Sequence, residues 1–176
     1  MLSVTDQKQQ VYPTSYYIAL GTNVGNYRNN FSRAVFELSK IGNVSKIANI
    51  YKSKPYGYLK QNCFYNTIVY LKSEMLPNEL MGKIQLIERK LYKNKRIING
   101  PRKIDLDIIF WDQKIFKNNN LVIPHPRAKE RDFVLFPLLD TAPFFRDPVS
   151  KLTVKELIKN LKDQYIIEKL SYRNLF

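Results

Sequence analysis

Apolar residues fall along this chain in two rhythms, one suited to strands and one to helices. Residues 15–20 (Ser-Tyr-Tyr-Ile-Ala-Leu) are aromatic and branched and predict a first strand. A turn, Gly21-Thr22-Asn23-Val24-Gly25-Asn26, follows. From about Asn30 to Leu38, the spacing of Phe31, Ala34, Val35 and Leu38 predicts a helix, with Gly42 placed to end it. Residues 44–51 predict a second strand and residues 64–71 a third. Between them, residues 52–62 form a long polar loop carrying Pro55 and Gly57. Leu80, Ile84, Ile87 and Leu91 share one stripe, so a second helix is predicted from Pro77 to about Lys90. The run Asp105-Leu106-Asp107-Ile108-Ile109-Phe110-Trp111 predicts a buried strand. Beyond it, Asn118-Asn119-Asn120 predicts a hairpin turn, residues 128–132 a helical turn, and residues 133–138 an extended apolar segment. Residues 153–161 predict a last helix with Thr153 and Glu156 in a capping box, and residues 165–170 a short final strand.

The order β-α-β-β-α-β up to Trp111 is that of a ferredoxin-like α+β core. The expected architecture is a single sheet with helices on one face and added C-terminal strands and helices. Residues 1–13 read as a loose polar extension and residues 14–176 as one domain.

Composition narrows the function classes. The chain has 176 residues, 44% of them hydrophobic, and a formal net charge of +14. Such an excess favours anionic partners, although a lysine-rich solvated surface explains most of it as well. Cys63 is the only cysteine and His125 the only histidine, so an internal disulfide is excluded and a structural zinc site is not expected. A reducing cytoplasm is the expected setting. No apolar run reaches the length of a membrane span.

The candidate chemistry centres on Gly100-Pro101-Arg102-Lys103-Ile104-Asp105-Leu106-Asp107. Strand side chains alternate, so Asp105 and Asp107 share a face, about 6.6 Å apart along the chain. Two acids inside an apolar strand repel each other unless a cation lies between them. Oxygen ligands suit Mg²⁺, which is typically held by one or two carboxylates together with substrate phosphates. An edge strand with two solvated acids facing outward is the alternative, and the pair alone does not decide. Arg102, His125 and Arg131 each suit a phosphate, and Lys93, Lys95 and Arg96 form a basic loop. The Gly21–Gly25 turn lacks the lysine of a P-loop and reads as a simple corner.

Together these segments resemble the 6-hydroxymethyl-7,8-dihydropterin pyrophosphokinases of folate biosynthesis. The resemblance runs through residues 17–25, residues 51–66, the Gly-Pro-Arg-Lys-Ile-Asp-Leu-Asp run, Pro124-His125-Pro126 and residues 131–138. It implies transfer of pyrophosphate from ATP to the pterin's hydroxymethyl oxygen, with AMP released. It further implies that Asp105 and Asp107 bind two Mg²⁺ ions and that Phe64 and Phe133 sandwich the pterin ring. Asn66, Ser53, Lys54 and Tyr56 would complete the pterin site. Arg102, His125 and Arg131 would contact ATP, with Gln85, Glu88 and Ile108 on the same substrate's side. Lys93 and Lys95 would stand near the family's catalytic-loop arginines. The implied partners are ATP and the pterin, with neither nucleic acid nor membrane, and the chain is expected to act as a monomer.

Two departures matter. Lys93-Asn94-Lys95 stands where the family usually has Arg-x-Arg, and Asn99 where it has Trp. Lysine offers a point charge rather than a planar fork. Two other readings compete, a basic nucleic-acid module and a different Mg²⁺-dependent transferase built on Asp-x-Asp. The first lacks the aromatic motif of RNA-binding sheets. The second differs in whether AMP or ADP is released.

Overall fold

A computed structural model of the chain describes residues 12–91 and 100–175. Alternation along β1 (Thr14–Thr22) sends Tyr16, Ile18 and Leu20 into one apolar core and Tyr17 into another. The sheet is therefore covered on both faces. On the first face, α1 (Tyr27–Leu38) and α2 (Pro77–Lys90) contribute Phe31, Ala34, Leu38, Leu80 and Ile84. On the second, α3 (Asp132–Thr141) and α4 (Val154–Lys159) contribute Val134, Leu135, Leu138, Val154 and Leu157. This corrects the expected one-faced architecture. Its physical basis is visible in β4 (Phe64–Ser73), where Ile68 packs in one core and Val69 in the other. A strand buried on both faces needs a layer of helices on each.

Six antiparallel strands make the main sheet, in the order β5–β1–β4–β3–β8, with β2 also paired to β4. Here β2 is Asn43–Ile47, β3 is Ile50–Ser53, β5 is Asp105–Trp111 and β8 is Ile166–Leu170. The single strand expected over residues 44–51 is thus two. Asn49 breaks it by turning to α3, where Asp140 Oδ2 accepts from its backbone N at 3.2 Å and its Nδ2 at 3.0 Å. A separate hairpin of β6 (Phe116–Lys117) and β7 (Val122–Ile123) surrounds the asparagine turn. The expectation of one sheet therefore describes the six strands and not this ribbon.

Helix boundaries follow side-chain capping. Asn26 Oδ1 accepts from Asn29 N at 3.1 Å, so α1 starts at Tyr27, earlier than the apolar stripe suggests. Thr153 and Glu156 form the expected capping box of α4. The segment 133–138, expected to be extended, lies instead within α3. This helix packs between the sheet and α4, with Val134, Leu135, Pro137 and Leu138 all buried, so its sequence shows little helical period. Pro137 sits inside the helix, a position where burial outweighs local preference. Among the described residues, no helix is long and apolar enough to cross a membrane.

Candidate active site

The register of three strands sets Asn66 of β4, Gly21 of β1 and Asp105 of β5 in a row across the sheet. Gly21 leaves the row open. A Cβ there would stand 3.4 Å from Asn66 Oδ1 and 3.9 Å from Asp105 Cβ. This row lines a cleft of about 240 Å³. Asp105, Asp107 and Ile109 face the cleft, while Leu106 and Ile108 between them are buried in the α1–α2 core. The two aspartates thus share one face, as strand alternation requires.

One side of the cleft is aromatic and amide-bearing. Ser53, Lys54, Tyr56, Phe64, Asn66 and Phe133 all line it. Asn66 Nδ2 donates to Ser53 Oγ at 2.9 Å, and both residues are buried, so the amide's orientation is set. The other side is cationic. Arg102 Nη1 donates to Asp105 Oδ2 at 2.6 Å, and the Arg102 guanidinium lies 5.3 Å from the Phe64 ring. Arg131 immediately precedes α3, with its guanidinium 5.3 Å from the Tyr56 ring and 5.7 Å from Phe133. Among the described residues, Arg102 Nε and Arg131 Nε are buried with no hydrogen-bond partner. An unsatisfied buried donor costs about 1–3 kcal/mol, which a bound oxyanion would recover.

His125 follows a cis Ile123–Pro124 bond, and its backbone N donates to Ile109 O at 2.9 Å. Its Nδ1 accepts from Arg127 N at 3.2 Å, which leaves Nε2 to carry the proton of the neutral ring. Burial lowers the His125 pKa, Asp107 opposes that shift, and Arg131 adds to it. Burial also lowers the Arg131 pKa, with the Arg127 guanidinium next in effect.

Five expected contacts stand elsewhere or outside the described residues. Gln85 is exposed on α2. Glu88 is 4% exposed, and its Oε1 accepts from Leu106 N at 2.8 Å. It therefore serves β5 from behind, as Ile108 serves the core. Lys93 and Lys95 lie outside the described residues.

Asn23, which the sequence assigned to a plain corner, ties three segments together. Its Nδ2 donates to Gln61 Oε1 at 2.9 Å and to Asn62 O at 3.1 Å, and its Oδ1 accepts from Arg102 N at 2.8 Å. The signal that could have found it is an asparagine between two glycines, a residue able to satisfy backbone groups locally.

As for a metal, Asp105 and Asp107 offer hard oxygen donors, and no group of three His, Cys, Asp or Glu side chains among the described residues could form a protein cage. That donor set fits Mg²⁺ that arrives with substrate phosphates rather than a fully protein-coordinated ion.

A family model described as 7,8-dihydro-6-hydroxymethylpterin-pyrophosphokinase matches residues 17–143. The chain is 34% identical over 140 residues to the 2-amino-4-hydroxy-6-hydroxymethyldihydropteridine pyrophosphokinase of Aquifex aeolicus, covering 80% of this chain and 88% of that one. It is 40% identical over 151 residues to the folic acid synthesis protein fol1 of Pneumocystis carinii, covering 85% of this chain. Only 20% of that longer protein is spanned. Among solved structures, the Plasmodium falciparum HPPK-DHPS superposes with a TM-score of 0.71 at 16% identity, over 86% of this chain and 44% of that one.

Proposed function

The chain belongs to the 7,8-dihydro-6-hydroxymethylpterin-pyrophosphokinase family, and from that premise we propose that its cleft transfers pyrophosphate from ATP to the hydroxymethyl oxygen of 6-hydroxymethyl-7,8-dihydropterin. AMP and the pterin diphosphate are the products. One observation carries the reading: Asp105 and Asp107 face a single cleft that has an aromatic, amide-bearing side and a cationic side where the Nε of Arg102 and of Arg131 is buried without a hydrogen-bond partner among the described residues. That arrangement suits a flat heterocycle at one end and a polyphosphate at the other.

In the proposed mechanism, Phe64 and Phe133 hold the pterin ring and the Ser53–Asn66 pair meets its polar edge. Arg102, Arg131 and the His125 Nε2–H bind phosphate oxygens, which would satisfy the Arg102 and Arg131 Nε donors that have no partner among the described residues. Asp105 and Asp107 would hold two Mg²⁺ ions brought in with ATP. When bound, such ions neutralise the triphosphate charge and steady the attacking and leaving oxygens. Positioning and charge, rather than a covalent enzyme intermediate, are the protein's part in this reaction.

The proposed unit is residues 14–176, because β8 pairs with β3 inside the same sheet. The order β5–β1–β4–β3 supports a ferredoxin-like reading of the core. A cytoplasmic setting fits the single cysteine.

The test is product analysis with ATP, Mg²⁺ and the pterin alcohol. Equimolar AMP and pterin diphosphate is the expected result. Turnover without the pterin, or release of ADP, would point to another transferase.

A further inference from the structure

The aromatic side of the cleft is held from a strand near the other end of the chain. Asp132 is 1% exposed and sits between Arg131 and Phe133 at the start of α3. Its Oδ2 accepts from Tyr165 N at 2.6 Å and Ile166 N at 2.8 Å, while Oδ1 accepts from Phe133 N at 2.7 Å. Tyr165 O in turn accepts from Lys54 N at 2.8 Å. The Tyr165 ring lies 5.3 Å from Tyr56 and 6.0 Å from Phe133, and those two lie 6.4 Å apart. One residue on, Ile166 pairs with Ser53 at a register shift between β3 and β8. Ser53, Lys54, Tyr56 and Phe133, all in the cleft, therefore rest on Tyr165 and on Ile166 at the start of β8, beyond the segment matched by the family model.

We propose that Tyr165, locked by the Asp132 carboxylate, is a positioning residue for the pterin half of the site. It does not line the cleft; its ring backs Tyr56 and Phe133, and its carbonyl fixes the Lys54 backbone. Hydrogen bonds to a carboxylate are stronger than those between neutral groups, so α3 and β8 are tied where the pterin must fit. The inference rests on the pterin reading of the cleft given above.

Tyr165→Ala removes the ring but keeps the backbone groups that Asp132 and Lys54 use. The expected result is a pterin KM raised about tenfold, equivalent to ~1.4 kcal/mol. The KM for ATP, and kcat at saturating pterin, should stay within about twofold, a split that general unfolding would not produce. Tyr165→Phe, which keeps the ring, should behave as wild type. Asp132→Asn places an amide NH₂ or a lone oxygen before three N–H donors and should show the same split with a larger pterin effect. Should that buried variant fail to fold, the Tyr165 pair decides alone. An unchanged pterin KM in Tyr165→Ala, parallel losses for both substrates, or a Tyr165→Phe variant as impaired as Tyr165→Ala would each overturn the proposal while leaving the reading of the cleft intact. A wild-type chain that releases no AMP in response to the pterin would overturn that reading and this proposal with it.

Discussion

Asn23 and Arg102 hold each other through two hydrogen bonds: Asn23 N donates to Arg102 O at 3.1 Å, and Arg102 N donates to Asn23 Oδ1 at 2.8 Å. The first turn of the chain thereby sets the height of the Gly-Pro-Arg segment beside the cleft. Asn23→Ala strands the Arg102 N–H and releases the loop at Gln61 and Asn62. The expected cost is about 1–3 kcal/mol of stability. A fall in kcat/KM of at least about tenfold should accompany it, as for any misplaced phosphate ligand. Denaturant unfolding and steady-state kinetics together check this; intact kinetics would detach the turn from the site.

The two aspartates should differ when removed singly. Arg102 and Asp105 are both mostly buried, with side chains 12% and 18% exposed. Asp105→Ala therefore leaves a guanidinium without its carboxylate and should be both inactive and less stable. Asp107→Ala, which leaves the Arg102–Asp105 pair in place, should lose turnover by at least about a hundredfold with a smaller loss of stability than Asp105→Ala. Activity measured against Mg²⁺ concentration, alongside thermal melting, separates the two variants. Near-normal turnover in either would rule out carboxylate-held metal.

Glu88 tests a different role from the one its resemblance implies. Its bond to the Leu106 backbone holds the strand between the two aspartates. Glu88→Ala should destabilise the protein by about 1–3 kcal/mol and lower kcat, while leaving the KM for ATP unchanged. Glu88→Gln, which keeps an acceptor, should recover most of both. A raised KM for ATP at full stability would instead make Glu88 a nucleotide contact.

The capping box of α4 gives a pH signature. Hydrogen bonds from the Thr153 backbone, and then from its side chain, lower the Glu156 pKa below its usual 4.5. A carboxylate lowered in the folded state adds stability above its unfolded pKa and loses it as pH falls through the folded one. The melting difference between wild type and Glu156→Ala should therefore be full at neutral pH and shrink below about pH 4.5. A difference independent of pH would mean that the charge on Glu156 contributes nothing.

Much of this site is legible in the amino-acid order alone, because its residues sit at strand ends whose alternation is simple. Asp105 and Asp107 share a face by period two, and Gly21, Asn66 and Phe64 fall at the ends of strongly patterned strands. Helix α3 is not legible as a helix. A segment buried nearly all round has no polar face to mark its period, and Pro137 favours extension. The break at Asn49 is hidden for another reason: its partner, Asp140, lies 91 residues away. Glu88 and Tyr165 show the same limit. Each meets a backbone group remote in sequence, Leu106 N for Glu88 and Lys54 N for Tyr165, and such a contact leaves no mark in local composition.

β5 lies at one edge of the sheet, with β1 its only strand partner in that sheet among the described residues. A strand in that position offers its outer amides and carbonyls to any other extended chain. Here the Glu88 side chain occupies the Leu106 N–H, and the His125 backbone occupies the Ile109 carbonyl. The groups that steady the strand beneath the aspartates also close this edge to edge-to-edge aggregation. Loss of the Glu88 carboxylate would then also be felt at high protein concentration, as self-association.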